Sequence, residues 1–177
     1  MEREIVVILD NFRSVFNTAS CFRTADGAGV RKIYLTGTTP APLDRFKKFR
    51  KDFTKVALGA EKTVEWEKAE NEMELIKKLK ENDFVVVAVE QNKKSEDIFE
   101  FAKSFNREDS RQVQDANKIA LIFGNEVEGI SQKVLKKCDK ILEIPMRGKK
   151  ESLNVAVAFA IAVYAIAITN NQEANSK

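Results

Sequence analysis

Three short segments concentrate the polar residues and glycines suited to binding a ligand and acting on it: Asn17 to Arg23 (NTASCFR), Phe123 to Gly129 (FGNEVEG) and Ile144 to Asn154 (IPMRGKKESLN). Each sets polar groups at the end of a predicted strand or beside a glycine, where an open α/β sheet holds its ligands. Gly124 and Gly129 allow backbone to approach a bound molecule closely. Glu126, between them, can accept hydrogen bonds or orient a partner. Together the segments read as a site for a small nucleotide-like cofactor, with Arg23 set to act on something anionic. The glycine pattern is not GxGxxG and no Walker lysine follows it, so dinucleotide and P-loop readings find little support.

Composition removes other chemistries. The chain has no histidine, which excludes a histidine base, a serine–histidine couple and histidine metal sites. Cys21 and Cys138 are far apart and form no CxxC pair, so no zinc site is expected and a reduced, cytoplasmic setting is the default. The first residues lack the order of a signal peptide. With 177 residues, 44% hydrophobic and 32% charged, the chain reads as one globular domain, residues 1–169, with a polar tail at 170–177. A formal net charge of +3 permits RNA as a partner without demanding it.

The elements that must position these residues alternate. Strands are expected at Glu4–Leu9, Lys32–Thr36, Thr63–Trp66, Phe84–Val89, Lys118–Phe123 and Lys140–Ile144. Helices are expected from the Ser14 cap to near Gly27, and at Arg45–Leu58, Glu72–Lys80, Asp97–Ala102, Ser131–Lys137 and Glu151–Thr169. Asn106–Asp115 is polar apart from Val113 and reads as an exposed loop. The alternation predicts an α/β fold, a parallel sheet covered by helices on both faces. Val155–Ile168 is apolar almost without a break but too short to span a bilayer comfortably. It reads as a buried helix that also packs against a second subunit.

On the first helix, at about 100° per residue, Val15, Ala19 and Phe22 share one side and Asn17, Ser20 and Thr24 another, with Arg23 at the border. Ser152 is a plausible N-cap for the last helix. Asn154, opening an otherwise apolar helix, is an amide that needs partners from a loop or a substrate.

The order N…R in the first helix, then FGNEVEG, then IPMRGKKESLNVAVA, resembles the three signature motifs of the SpoU-type (TrmH-like) branch of the SPOUT RNA methyltransferases, across about Glu4 to Ile168. The resemblance implies a deep C-terminal trefoil knot, an exception to the usual absence of knots. It implies S-adenosyl-L-methionine bound within the knotted loops, and a homodimer with the site near the subunit interface. Arg23 matches the catalytic arginine and Asn17 the motif-one asparagine. Glu126 matches the motif-two glutamate, and Ser152 and Asn154 the polar pair of motif three. Gly124, Ile144, Leu153 and Met146 fall at cofactor-lining positions, as does Glu90 at the end of the middle strand. No part of the chain matches the substrate-recognition domain that many relatives append.

The implied reaction is methylation of an RNA ribose 2′-hydroxyl. The cofactor's sulfonium supplies an activated methyl, so no metal is implied. Arg23 either acts as base after perturbation by a substrate phosphate, or stays charged and clamps the phosphate beside the developing alkoxide. Two basic groups could meet RNA: Arg45, Lys47, Lys48, Arg50 and Lys51, interleaved with Phe46, Phe49 and Phe53 on one helix face, and Arg147, Lys149 and Lys150. A tRNA is favoured over ribosomal RNA by analogy to compact relatives. Methylation of a base, and a catalytically silent RNA-binding protein on the same fold, are the alternatives.

Overall fold

The computed structural model describes residues 4–105 and 117–168. Seven strands, β1 (Glu4–Asp10), β2 (Lys32–Thr36), β3 (Glu65–Lys68), β4 (Val85–Val89), β5 (Glu96–Asp97), β6 (Lys118–Phe123) and β7 (Lys140–Glu143), form one sheet in the order β3-β2-β1-β6-β4-β7-β5. Every pairing is parallel, so all seven strands end at one edge. In the central register, Ile8 lies opposite Tyr34 on one side and Ile122 on the other. The later strands do not extend the sheet outward. β6 enters between β1 and β4, and β7 between β4 and β5.

The strands alternate their burial because both faces are covered. Ile5, Val7 and Leu9 of β1 join Ile119, Leu121 and Phe123 of β6 in one core, completed by α1 (Val15–Gly27), α2 (Lys51–Ala57), α3 (Ala60–Thr63), α5 (Ile98–Phe105) and α7 (Val155–Ile168). Val6, Ile8, Ala120 and Ile122 point the other way, onto α4 (Glu72–Glu81) and α6 (Gln132–Leu135). Aromatic pairs join the layers. Phe22 of α1 meets Phe53 of α2 edge-on with centroids 5.2 Å apart, and Phe123 meets Phe159 of α7 at 4.9 Å.

Local chemistry sets the helix ends. Ser14 Oγ accepts from Asn17 N at 3.2 Å and starts α1, as expected. Asn71 accepts from Met73 N and Glu74 N to start α4, and Ser131 accepts from Val134 N to start α6. The last helix departs from expectation. It begins at Val155, not Glu151, and Ser152 does not cap it. Asn154 takes that position, its Oδ1 accepting from Ala156 N at 2.9 Å.

The larger correction concerns Arg45–Leu58, expected as one helix. Only Lys51–Ala57 is helical there. Asp44 Oδ1 accepts from Phe46 N and Lys48 N, Leu43 bridges Phe49, and Lys47 adopts φ 60°. The aspartate thus offers the backbone a turn in place of a helix. The three phenylalanines do not share a face: Phe53 is fully buried, whereas Phe46 and Phe49 are 66% and 44% exposed. The expected loop Asn106–Asp115, Thr169 and the tail 170–177 lie outside the described residues. Among the described residues, no helix is long and apolar enough to cross a membrane.

Candidate active site

The ends of β4, β6 and β7 open into a cleft of about 510 Å³, a size suited to a nucleotide-like ligand. Its walls come from Val89–Gln91, Phe123–Val127, Ile144, Met146 and Ser152–Val155, closed by Asn17, Gly129, Glu143 and Ala158. The position is the one parallel sheets favour, at the strand carboxyl ends, where the order of strands turns back on itself.

Its floor is the turn after β6. A Cβ on Gly124 would lie 2.4 Å from the carbonyl carbon of Gly129, so the loop can fold back on itself only with glycine there. Gly129 has φ +67°, and a Cβ there would meet Glu90 Oε2. Glu90 wedges the turn in place: Oε2 accepts from Ile130 N at 2.9 Å and Oε1 from Gln91 N at 3.0 Å. Asn125 holds the other side. Its Nδ2 donates to Asn11 O at 2.7 Å and its Oδ1 accepts from Val127 N and Glu128 N.

Residues far apart in sequence then join in a chain of hydrogen bonds. Glu126 accepts from Arg13 N at 2.9 Å, Ser14 N at 3.1 Å and Asn17 Nδ2 at 3.0 Å. Asn17 Oδ1 accepts from Asn154 Nδ2 at 3.2 Å. Asn17 is only 7% exposed, so its amide is satisfied at both ends, as a buried amide must be. The three motif segments thus meet at one buried side chain. Burial raises the affinity of the Glu126 carboxyl for a proton. The hydrogen bonds from Arg13 N, Asn17 Nδ2 and Ser14 N outweigh it and hold the group below its ordinary value. Glu126 is therefore an ionised acceptor at the amino end of α1, where negative charge is favoured.

Of the expected residues, the structure brings together Asn17, Glu90, Gly124, Glu126, Ile144, Met146, Ser152, Leu153 and Asn154 around the cleft. Asn154 is exposed within the single chain. Arg23 does not line the cleft. Its side chain is exposed and makes no hydrogen bond or ion pair with another described residue. It stands on the exposed arc of α1, one heptad from Phe16, between the two sides of the helix. Arg147, Lys149 and Lys150 are exposed on the loop between Met146 and Ser152. Arg45, Lys47, Lys48, Arg50 and Lys51 sit away from the cleft, before and at the start of α2.

Sequence reasoning missed Asn125, Gln91 and Glu143. Asn125 carried a readable signal, an asparagine beside glycine at a strand end, where its side chain mimics a backbone turn. Glu143 ends β7, and its Oε2 accepts from Ser95 Oγ at 2.6 Å. It gave no signal, because only the insertion of β7 beside β4 brings it to the cleft.

A parallel sheet with β6 and β7 inserted among earlier strands, and a cleft lined by their exit loops, defines an α/β ligand-binding domain of the nucleotide-cofactor class. The profile of the SpoU rRNA Methylase family matches residues 4–164, and the chain belongs to that family. It is 32% identical over 160 residues to the 23S rRNA (guanosine-2′-O-)-methyltransferase RlmB of Bordetella pertussis, covering 90% of this chain and 58% of that protein. The chain thus spans little more than half the length of that relative. Among solved structures it is similar to the A. aeolicus TrmH/SpoU tRNA modifying enzyme, with TM-score 0.78 and 25% identity over 98% of this chain and 78% of that one. It is also similar to an AdoMet-bound rRNA methyltransferase from Sinorhizobium meliloti, with TM-score 0.77 and 25% identity over 94% and 56%.

Proposed function

We propose that the protein is an S-adenosyl-L-methionine-dependent RNA ribose 2′-O-methyltransferase, with residues 1–169 forming one methyltransferase domain that carries a deep trefoil knot. The observation that carries this reading is the Glu126–Asn17–Asn154 chain, which joins the three motif segments at the mouth of one cleft. Family membership and the AdoMet-bound neighbour support it.

The cleft suits the cofactor by its donor set. Val89, Phe123, Ile144, Met146 and Leu153 offer apolar surface for a purine. Among the described residues that line the cleft, the charged ones are Glu90, Glu126 and Glu143. Three carboxylates favour a cationic ligand over a neutral one. S-adenosyl-L-methionine, when bound, supplies a methyl group on a positively charged sulfur. The protein's part is alignment and charge. Asn17 and Asn154 fix the register of α1 against the last loop. Glu126 stays ionised and holds the amino end of α1.

The acceptor hydroxyl must lose its proton as it reacts. Arg23 is the residue for that end of the reaction: it either takes that proton after a substrate phosphate perturbs it, or stays charged to clamp the phosphate and stabilise the developing alkoxide while the proton passes to solvent. Its separation from the cleft within one chain is met by a homodimer. Phe16 on its own face of α1 is 63% exposed, and Val157 and Tyr164 on α7 are 48% and 38% exposed. Because α1 packs on α7, these residues give an apolar surface on which a second copy would bring its Arg23 to this cleft. The RNA is a tRNA or ribosomal RNA in a cytoplasmic setting. The RlmB likeness weighs toward ribosomal RNA, and the A. aeolicus neighbour toward tRNA.

Methyl transfer from labelled cofactor to total RNA, followed by digestion to nucleosides, tests the reading. We expect 2′-O-methylnucleosides, and a base-methylated product would overturn the ribose assignment. Arg23→Lys should lose most turnover with cofactor affinity unchanged, because an ammonium cannot replace the planar fork. Retention of near wild-type turnover would remove Arg23 from the reaction.

A further inference from the structure

We propose that the hairpin at residues 43–50 is a base-stacking finger that selects unpaired nucleotides of the RNA. This rests on the reading that RNA is the substrate. Two phenyl rings are exposed there, Phe46 at 66% and Phe49 at 44%. Neither ring is left out by disorder, because the hairpin is tightly built. Asp44 N donates to Lys48 O at 2.9 Å, Lys47 N donates to Asp44 O at 3.0 Å, and Arg50 N donates to Pro42 O at 2.9 Å. Asp44 Oδ1 takes two further backbone N–H groups at the tip. A short, stiff turn with Lys47 in a left-handed conformation thus displays apolar rings that a globular chain would otherwise bury.

Cations accompany the rings. The Arg45 guanidinium lies 4.7 Å from the Phe46 centroid, and Lys62 Nζ lies 5.6 Å from that of Phe49. Asp52 is paired with Arg50, and Asp44 is occupied by the backbone. Arg45, Lys47 and Lys48 therefore have no carboxylate partner among the described residues, and they remain for phosphates. Aromatic faces beside unpaired cations are the elements that hold single-stranded nucleic acid. A paired base in a duplex offers its face to its neighbours and not to the ring.

The loop that leads from the carboxyl end of β2 into the finger is tied to the end of β1 and to β3. Phe12 N donates to Thr39 Oγ1, Thr39 Oγ1 donates to Leu9 O, and Lys68 Nζ donates to Gly37 O and Thr39 O. A second copy of the same patch is a poor occupant, because an isologous contact would oppose like charges.

The test is fluorescence anisotropy with the full chain, using a short labelled single-stranded RNA and the blunt duplex made from it, across a salt series. We expect wild type to prefer the single strand, and Phe46→Ala to weaken that strand roughly tenfold with the salt slope unchanged. Duplex binding and cofactor affinity should not move. Phe46→Trp should restore binding, with tryptophan emission quenched by the single strand beyond any change at Trp66 in wild type. Equal loss on both RNAs, no preference in wild type, or unchanged RNA affinity with altered sedimentation would overturn the finger, the last assigning this face to contact between copies. The functional reading fails separately. A chain that shows the Phe46-dependent preference but transfers no methyl keeps the finger and loses the enzyme.

Discussion

Between Gly124 and Ile130 the chain is held by hydrogen bonds through Asn125, Glu126 and Glu90. Between Met146 and Leu153 no hydrogen bond to the other described residues is made at all, and Arg147 to Leu153 are exposed. Both loops line the same cleft. One is a floor whose shape exists before any ligand arrives. The other is a wall with free donors and acceptors, able to close on a ligand or a partner at little cost in broken contacts. Placing rigidity at the alignment network and freedom at the entrance lets the Asn17 relay stay in register while the cleft admits and releases its ligand.

The same small substitution should separate the two loops by the largest margin. Gly124→Ala should destabilise by about 2–3 kcal/mol, because the new methyl group meets backbone at 2.4 Å. Gly148→Ala meets nothing within 4 Å and should stay within about 0.5 kcal/mol of wild type. Urea unfolding of both checks this, and similar losses would mean that the wall is as constrained as the floor.

Next in size is Glu126→Ala. It strands Arg13 N, Ser14 N and the Asn17 amide, at a cost of about 2 kcal/mol in stability. The pH dependence follows from the lowered folded-state value. Stability from the ionised group is complete above the unfolded value of about 4.3, and is lost as pH falls through the lower folded value. The margin of wild type over Glu126→Gln should therefore be constant near neutrality and shrink as pH falls below about 4.3. A margin that grows on acidification would contradict the assignment of Glu126 as an ionised acceptor.

Hydrogen exchange sharpens the contrast further. Addition of S-adenosyl-L-methionine should slow exchange at Lys149–Leu153 by a larger factor than at Val127–Ile130, whose amides are already bonded. The smallest effect belongs to Glu143, one of three carboxylates in the cleft. Glu143→Gln should reduce the preference for S-adenosyl-L-methionine over its uncharged thioether product by roughly threefold, as for a partly exposed charge pair. Calorimetry with both ligands measures it, and an unchanged ratio would show that this carboxylate does not sense the sulfonium.

Much of this was legible in the chain itself. The β-branched runs Ile5–Leu9, Val85–Val89 and Ile119–Phe123 are strands buried on both faces wherever they occur, because their period and composition allow little else. Gly124, Glu126 and Asn154 announced a site because such residues at strand ends and at the start of an apolar helix must be satisfied by something. Other features lay beyond local reasoning. The 45–50 segment has helical periodicity, but a single aspartate carboxylate captured its backbone and turned its phenylalanines outward. Only the insertion of β6 and β7 among earlier strands brought Glu126 of one loop, Asn17 of the first helix and Asn154 of the last within hydrogen-bonding reach. Side-chain type and spacing are properties of neighbours along the chain, whereas pairing across 109 and 137 residues depends on strand order. Strand order is set by the packing of the whole sheet, and so tertiary structure alone decided which polar groups share the cleft and left Arg23 facing outward.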